Sequence, residues 1–234
     1  MCMNISSRKQ KAQAELKNDI LVAASQLFRE KGFLAVSVSD VASQVGISKS
    51  NIYNYFRNKN YLLYEVLSIA AQDLIAKAHH ILASSASPKD KLEGLVKLQM
   101  QIVTDKDRGF GGISVFERRS LPVNLRKRYD LLRDKYEQLF RSVLEEAVAA
   151  GQIRQCDTKL MSLFILGLIN SIPHWYKQTG PLSAEDVTNE IWKLLTCGII
   201  YKAELETECK RMLVQPAPKV MMEKLVQGEV PDES

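Results

Sequence analysis

The chain has 234 residues, of which 46% are hydrophobic and 25% charged, a composition typical of a globular protein with a sizeable core. It contains no run of eighteen uncharged apolar residues and no apolar signal core near residue 1, so we expect a cytoplasmic protein without a membrane span. The four cysteines lack metal-binding spacing, and no phosphate-binding or catalytic motif occurs, so we expect no metal, no cofactor and no enzymatic activity.

The net charge of +5 is concentrated at the N-terminal end of the chain. Residues 1–60 hold nine basic and four acidic side chains, whereas the remaining 23 basic and 23 acidic side chains cancel. Basic side chains release counterions when they contact phosphates, and this release drives binding to nucleic acid. The charge distribution therefore predicts that the first 60 residues bind DNA.

The first predicted helix runs from about Lys11 to Lys31, with Ile20, Leu27 and Phe28 on its apolar stripe. Two short helices follow it. Ser37 and Asp40 have the spacing of a capping box at the start of the second helix. The first helix and the two short helices together predict a compact unit of three helices.

A tight glycine turn joins the two short helices. Gly46 is suited to the left-handed conformation that ends the first of them, and Ser48 can cap the next, which we expect to run to about Phe56. Ile52 and Phe56 face inward on that helix. The side chains left on its outer face are Lys49, Ser50, Asn51, Tyr53, Asn54 and Tyr55. Hydroxyls, amides and a lysine on a short helix favour contacts in a DNA major groove.

This segment resembles the helix-turn-helix of TetR-family transcriptional regulators. The resemblance is carried by residues 20–33, by Asp40-Val-Ala-Ser-Gln-Val-Gly46, by Tyr53-Asn-Tyr-Phe56, and by Lys59 with Leu62-Leu63. It implies a DNA-reading head followed by a larger helical domain. We predict operator contacts from Ser37, Ser48, Lys49, Ser50, Asn51, Tyr53, Asn54, Tyr55 and Lys59.

The rest of the chain also has helical periodicity, and no convincing strand pattern occurs. Predicted helices run from Asn58 to the Ser84–Pro88 break, from Pro88 to Thr104, from Ser114 to Ser120, from Pro122 to Ala150, from Thr158 to Gln178 and from Ser183 toward Glu204, with a loop at Gly109–Gly112. We therefore expect an all-α fold. It consists of a three-helix helix-turn-helix DNA-binding domain over residues 13–73, a helical ligand-binding and dimerisation domain over residues 74–205, and a C-terminal extension over residues 206–234.

The last two predicted helices carry more apolar surface than one core stripe needs. Each contains a glycine, Gly167 or Gly198, where another backbone could approach closely. A twofold axis would build a four-helix interface from them, with Leu195 and Ile199 among the buried residues. The alternative is that both helices simply belong to the core of one protomer.

Residues 166–187 resemble a TetR subgroup that responds to acyl-CoA thioesters, as do Leu121-Pro-x-x-Leu-Arg126 and Arg133-Asp-Lys-Tyr-Glu137. The resemblance implies an acyl-CoA-type effector, enclosed in part by a helix that Pro173 kinks. Candidate effector-binding residues are Phe110, Phe116, Arg119, Leu166, Asn170, His174 and Trp175. Core filling by the aromatic residues and solvation of Arg118 and Arg119 are the alternatives.

Together these features predict a repressor that binds a palindromic operator as a homodimer and is released by a small apolar or acyl-CoA-type effector. A transcriptional activator, or a regulator that answers a hydrophobic ligand without coenzyme A, is the alternative. An architectural DNA-binding protein would not need the long apolar C-terminal region.

Overall fold

The computed structural model describes residues 5–104 and 115–198, which form eight α-helices, two 3₁₀ helices and no strand. The α-helices are α1 Ile5–Lys31, α2 Val38–Val45, α3 Lys49–Tyr53, α4 Lys59–Leu82, α5 Pro88–Thr104, α6 Val123–Ala149, α7 Thr158–Asn170 and α8 Ala184–Gly198. The 3₁₀ helices span Val115–Ser120 and Ile172–His174. The predicted all-α class is confirmed. The predicted loop 109–112, Ile199 and the extension 206–234 lie outside the described residues.

Helices α1–α4 share the first of two hydrophobic cores. Ile20, Ile52, Leu62 and Leu63 are fully buried in it, and the start of α6 adds Leu125. The N-terminal core is therefore continuous with a helix of the C-terminal region, so α1–α4 and that region share packing.

Capping hydrogen bonds and a glycine fix where the short helix α2 begins and ends. The Ser37 hydroxyl accepts a hydrogen bond from Asp40 N at 3.2 Å, and the Asp40 carboxylate accepts one from Ser37 N at 2.7 Å. These bonds lower the pKa of Asp40. Gly46 has φ 76° and ends α2 in the left-handed conformation, as predicted.

Three helix ends differ from the prediction. Helix α1 begins at Ile5 rather than near Lys11, and α3 ends at Tyr53 rather than at Phe56. Helix α7 ends at Asn170 instead of continuing through a kink. Pro173 disfavours a continuous helix here, because its ring would clash with the preceding turn and its nitrogen has no proton to donate, and Ile172 and Tyr176 pack against the C-terminal core beyond the helix end.

The second core lies among α5, α6, α7 and α8. Leu92, Phe140 and Ile165 are fully buried there, and α8 contributes Leu195 at 8% exposure. Leu195 is therefore a core residue of the protomer, which corrects its assignment to an intermolecular interface. In the described ranges, no helix combines the length and the apolarity that crossing a bilayer requires.

Candidate DNA-reading surface and effector cavity

The outer surface of α3 carries most of the predicted DNA-binding residues. Its exposed side chains are Lys49, Ser50, Asn51 and Tyr53, followed by Asn54 at the C-terminal cap. Ile52 points the other way and is 1% exposed. The helix therefore presents hydroxyl, amide, phenol and ammonium groups on one accessible surface, where they can reach base edges and phosphates.

Two of the predicted hydroxyls also hold helix starts. The Ser48 hydroxyl accepts from Asn51 N at 3.3 Å and lies 2.8 Å from the Ser50 hydroxyl. The Ser37 hydroxyl caps α2 in the same way. Both residues thus position the short helices, and their contact with DNA stays a prediction.

Tyr55 and Lys59 are less accessible than the other predicted contacts. Tyr55 is half-buried and packs against the N-terminal core. The Lys59 ammonium lies 4.2 Å from the centre of the Phe33 ring and donates to the Leu34 carbonyl at 3.4 Å. Partial burial lowers the pKa of Lys59. Lys59 therefore joins α4 to the segment between α1 and α2.

A cavity of about 1100 Å³ lies beside the C-terminal core, among α4, α5, α6 and α7. Most of its wall is apolar. The apolar side chains that line it include Leu67, Ile69 and Leu74 from α4, Leu98 and Ile102 from α5, Leu132 from α6, and Leu163 and Leu166 from α7. A cavity of this size holds a drug-sized ligand and buries its apolar part.

An ion pair forms part of the cavity wall. Arg118 donates from Nε and from a terminal nitrogen to the two carboxylate oxygens of Asp130, each at 2.5 Å. This bidentate bond lowers the pKa of Asp130 and raises that of Arg118. The Arg118 guanidinium is therefore already bound to a protein carboxylate, which differs from the solvated arginine that the sequence left open as an alternative.

Further charged side chains mark the exposed rim. Lys77 pairs there with Asp73 one turn away. Arg133 and Lys159 also line the cavity and make no ion pair with a described residue. These two cations are available to an anionic ligand group.

The candidate effector-binding residues fall in different places. Leu166 and Asn170 line the cavity. Arg119 and His174 are exposed, Trp175 is 55% exposed, and none of the three belongs to the cavity wall. Phe110 and the side chain of Phe116 lie outside the described residues.

Sequence reasoning identified Asn170 but missed the other polar residues of the cavity wall near it. The Gln99 side chain donates from Nε2 to Asn170 Oδ1 at 2.8 Å, and both residues line the cavity with Tyr136. A usable signal existed for Gln99, because this polar residue stands in the apolar stripe of its helix. No sequence signal pairs it with Asn170, which is 71 residues away.

Sequence reasoning also missed a contact between the two regions. The Glu117 carboxylate accepts from Phe33 N at 2.9 Å and from the Ser120 hydroxyl at 3.1 Å. Its neighbour Arg118 is part of the cavity wall. One short 3₁₀ helix therefore touches both the DNA-reading head and the cavity.

A row of exposed apolar residues follows one face of α7. Leu160, Leu163 and Phe164 are each about half exposed or more. Leu163 and the next small residue, Gly167, also line the cavity, whereas Leu160 and Phe164 do not. On α8, Leu194 is 60% exposed beside the buried Leu195. Exposed apolar side chains therefore occur on both of these helices.

Comparison with known proteins agrees with this architecture. Residues 20–66 match the bacterial regulatory proteins of the tetR family, and residues 85–199 match the tetracyclin repressor-like C-terminal domain. The HTH-type transcriptional repressor KstR2 of Mycolicibacterium smegmatis is 26% identical over 190 residues, which cover 80% of this chain and 91% of KstR2.

Solved structures give the same result. PfmR, a TetR-family transcriptional regulator from Thermus thermophilus, is 30% identical with a TM-score of 0.67, covering 75% of this chain and 96% of PfmR. AibR in complex with isovaleryl coenzyme A and operator DNA has a TM-score of 0.70 at 21% identity, covering 76% of this chain and 97% of AibR, which is a likeness of fold. The chain therefore belongs to the TetR family, whose members are DNA-binding transcriptional regulators and not enzymes.

Proposed function

We propose that this protein is a repressor that binds a palindromic operator as a homodimer and leaves it when an acyl-CoA-type effector enters the cavity. The observation that carries the proposal is the 3₁₀ helix Val115–Ser120, which contacts the DNA-reading head through Glu117 and the cavity through Arg118. KstR2 is a repressor, and AibR holds an acyl-CoA and operator DNA on the same fold, which supports it. A protein that binds operator DNA in this way acts in the cytoplasm.

The cavity wall suits the two halves of such an effector. Its apolar side chains would bury an acyl group, at about 25 cal/mol for each Å² removed from water. Arg133 and Lys159 at the rim would meet the phosphates of the coenzyme. An effector of this kind needs both halves for affinity.

Release from DNA follows from the position of the 3₁₀ helix. A ligand that displaces the Arg118–Asp130 pair shifts the neighbouring Glu117 and so its bond to Phe33 N. The two reading heads of a dimer then no longer match half-sites about 34–36 Å apart. A hundredfold preference of the ligand for this state supplies about 2.7 kcal/mol of population shift.

Dimerisation is proposed through Leu160 and Phe164 of α7 with Leu194 of α8, which are exposed and do not belong to the cavity wall. A second copy placed by a twofold axis would bury the same residues on both protomers.

One observation favours a second candidate, a regulator that answers a hydrophobic ligand without coenzyme A. The cavity wall balances its four basic side chains with Asp73, Asp130, Asp134 and Glu137. A wall without net charge attracts a neutral ligand as readily as an anionic one.

Activation of transcription in place of repression is the other alternative. A promoter fusion, measured with and without the gene for this protein, separates activation from repression.

A mobility-shift assay tests the proposal. The full-length protein is mixed with the intergenic DNA upstream of its gene, then with acyl-CoAs of several chain lengths and ring types, free coenzyme A and the matching free acids. We expect the thioesters to release DNA and the two half-molecules to release it poorly. Failure of every thioester would reject this effector class and leave DNA binding standing, because that function depends on other residues.

A further inference from the structure

Gly167 is a glycine for which the fold of the protomer shows no need. It lies inside α7 without a positive φ, and a Cβ atom added to it would have open space around it, with nothing within 4 Å beyond its own stretch of helix. At Gly94 of α5, by contrast, an added Cβ would lie only 3.0 Å from Ile81 Cγ2, so close packing explains that glycine. Glycine inside a helix is less stable than alanine. Gly167 therefore weakens α7 without a compensating contact in its own protomer.

The open space at Gly167 lies at the wall of the effector cavity. Gly167 lines the cavity, and so do Leu163 and Asn170, which lie about one helical turn before and after it on the same face of α7. Larger side chains therefore flank Gly167 on both sides along the helix. The missing side chain leaves a notch in the cavity wall between Leu163 and Asn170. Because side chains project sideways from a helix, this notch makes the cavity wider rather than longer.

A wide cavity suits a wide acyl group. A straight alkyl chain beside the notch would leave part of it empty, and apolar atoms next to an empty space lose dispersion contacts. A ring or a branched carbon skeleton fills the notch and removes more apolar surface of the wall from water. Leu163 and Leu166 supply such surface beside Gly167.

We propose that the acyl group of the effector contains a ring or a branched carbon skeleton, that this part lies against Gly167, and that Gly167 sets how wide it can be. This inference rests on the proposed function, since it takes the cavity as the effector site. A side chain at position 167 would occupy the notch and exclude a wide, rigid group, whereas a flexible straight chain can bend past it. Gly167 is then a specificity-determining residue.

The test compares acyl-CoAs of equal carbon number and different width. The pairs are cyclohexanecarbonyl-CoA with heptanoyl-CoA, and adamantane-1-carbonyl-CoA with undecanoyl-CoA. Titration calorimetry on the full-length protein gives the ratio of the Kd of the wide member to that of the straight member. The wild type should bind the wide member more tightly in at least one pair. Gly167→Ala should raise the ratio for that pair, and Gly167→Leu should raise it by about tenfold or more, because added carbons overfill the notch.

Thermal unfolding without ligand, at equal protein concentration, examines the same residue through stability. Gly167→Ala should raise the Tm by about 2–4 °C, because alanine favours the helix and its methyl group meets no neighbour. Gly94→Ala is the matched control. Its methyl group has to displace Ile81, so its Tm should rise less than that of Gly167→Ala. It should also keep the wild-type Kd ratio, because Gly94 does not line the cavity.

Sedimentation velocity on Gly167→Leu separates the cavity from the proposed dimer interface. The variant should keep the wild-type oligomeric state. Dissociation of this variant would mean that a second protomer occupies the space at Gly167, and it would overturn the inference. Should Gly167→Leu fail to fold, Gly167→Ala decides alone.

The binding results also distinguish this inference from the function on which it rests. An unchanged Kd ratio in the Gly167 variants, or tighter binding of the straight member of both pairs by the wild type, would overturn the role of Gly167 and keep the acyl-CoA proposal. Binding of no thioester by the wild type would reject the acyl-CoA effector and this inference with it.

Discussion

Lys49 shows how one side chain on α3 can be tested for contact with DNA. Its ammonium lies 6.0 Å from the centre of the Tyr53 ring. Because the side chain is exposed, it can reach a phosphate. We expect Lys49→Ala to weaken operator binding and to lower the slope of log affinity against log salt by about one unit, as loss of one phosphate contact requires. Lys127→Ala, at an exposed position of α6, should leave the slope unchanged. An unaltered slope in Lys49→Ala would remove this residue from the phosphate contacts.

Asp130 gives the cavity wall a pH-dependent stability. Its hydrogen bonds from Arg118 lower its pKa in the folded protein, so their stabilisation is fully present above the unfolded carboxyl pKa of about 3.9 and is lost as the pH falls through the lower folded value. Asp130→Asn should therefore cost about 1–2 kcal/mol at pH 7, measured by urea unfolding. The difference from wild type should shrink below about pH 4.

The exposed pair of Asp73 with Lys77 supplies the control for this measurement. Asp73→Asn should change stability by less than about 0.5 kcal/mol, because water screens an exposed ion pair. Equal losses for Asp73→Asn and Asp130→Asn would show that the Arg118–Asp130 pair stabilises no more than a surface pair does.

The 3₁₀ helix Val115–Ser120 is the element expected to couple effector to operator. Glu117→Ala leaves Phe33 N without its acceptor, which should cost about 1–2 kcal/mol of stability. In a mobility-shift titration with decanoyl-CoA, the variant should also show a smaller ratio of operator Kd with and without effector. Glu117→Gln keeps an acceptor oxygen and should stay close to wild type. An unchanged ratio in Glu117→Ala would place the coupling elsewhere.

Helix ends show which structural features short-range chemistry decides. The capping box of Ser37 and Asp40 and the left-handed Gly46 follow from neighbouring residues, so they were predictable from the sequence. The end of α7 was not. Pro173 disfavours a continuous helix, but Ile172 and Tyr176 pack against the C-terminal core, and this packing decides that the chain turns instead of resuming the helix.

Assembly of the whole molecule depends on the outer face of α7. Phe164 is 64% exposed there, and Leu131 on α6 is 63% exposed. Phe164→Glu would bury an unpaired charge in the proposed dimer and should give monomers with parallel loss of operator affinity, whereas Leu131→Glu should leave a dimer. Sedimentation velocity measures the outcome. A well-folded Phe164→Glu dimer would rule out this face as the interface.

The sequence by itself determined the helical class, the short helices with their caps, the accessible surface of α3 and the family resemblance. These features depend on periodicity and on residues a few positions apart, so local chemistry is enough to specify them. Leu194 and Leu195 show where this reasoning ends. They are adjacent and chemically identical, yet one is exposed and the other is buried, because the packing of α8 selects one face.

The tertiary structure alone decided the functional contacts between distant residues. Gln99 meets Asn170 across 71 positions, and Phe33 meets Glu117 across 84. Such pairs form because whole helices pack together and leave each buried polar group only the partners that the fold brings near. For the same reason, the cavity could be recognised only once α4, α5, α6 and α7 had packed together.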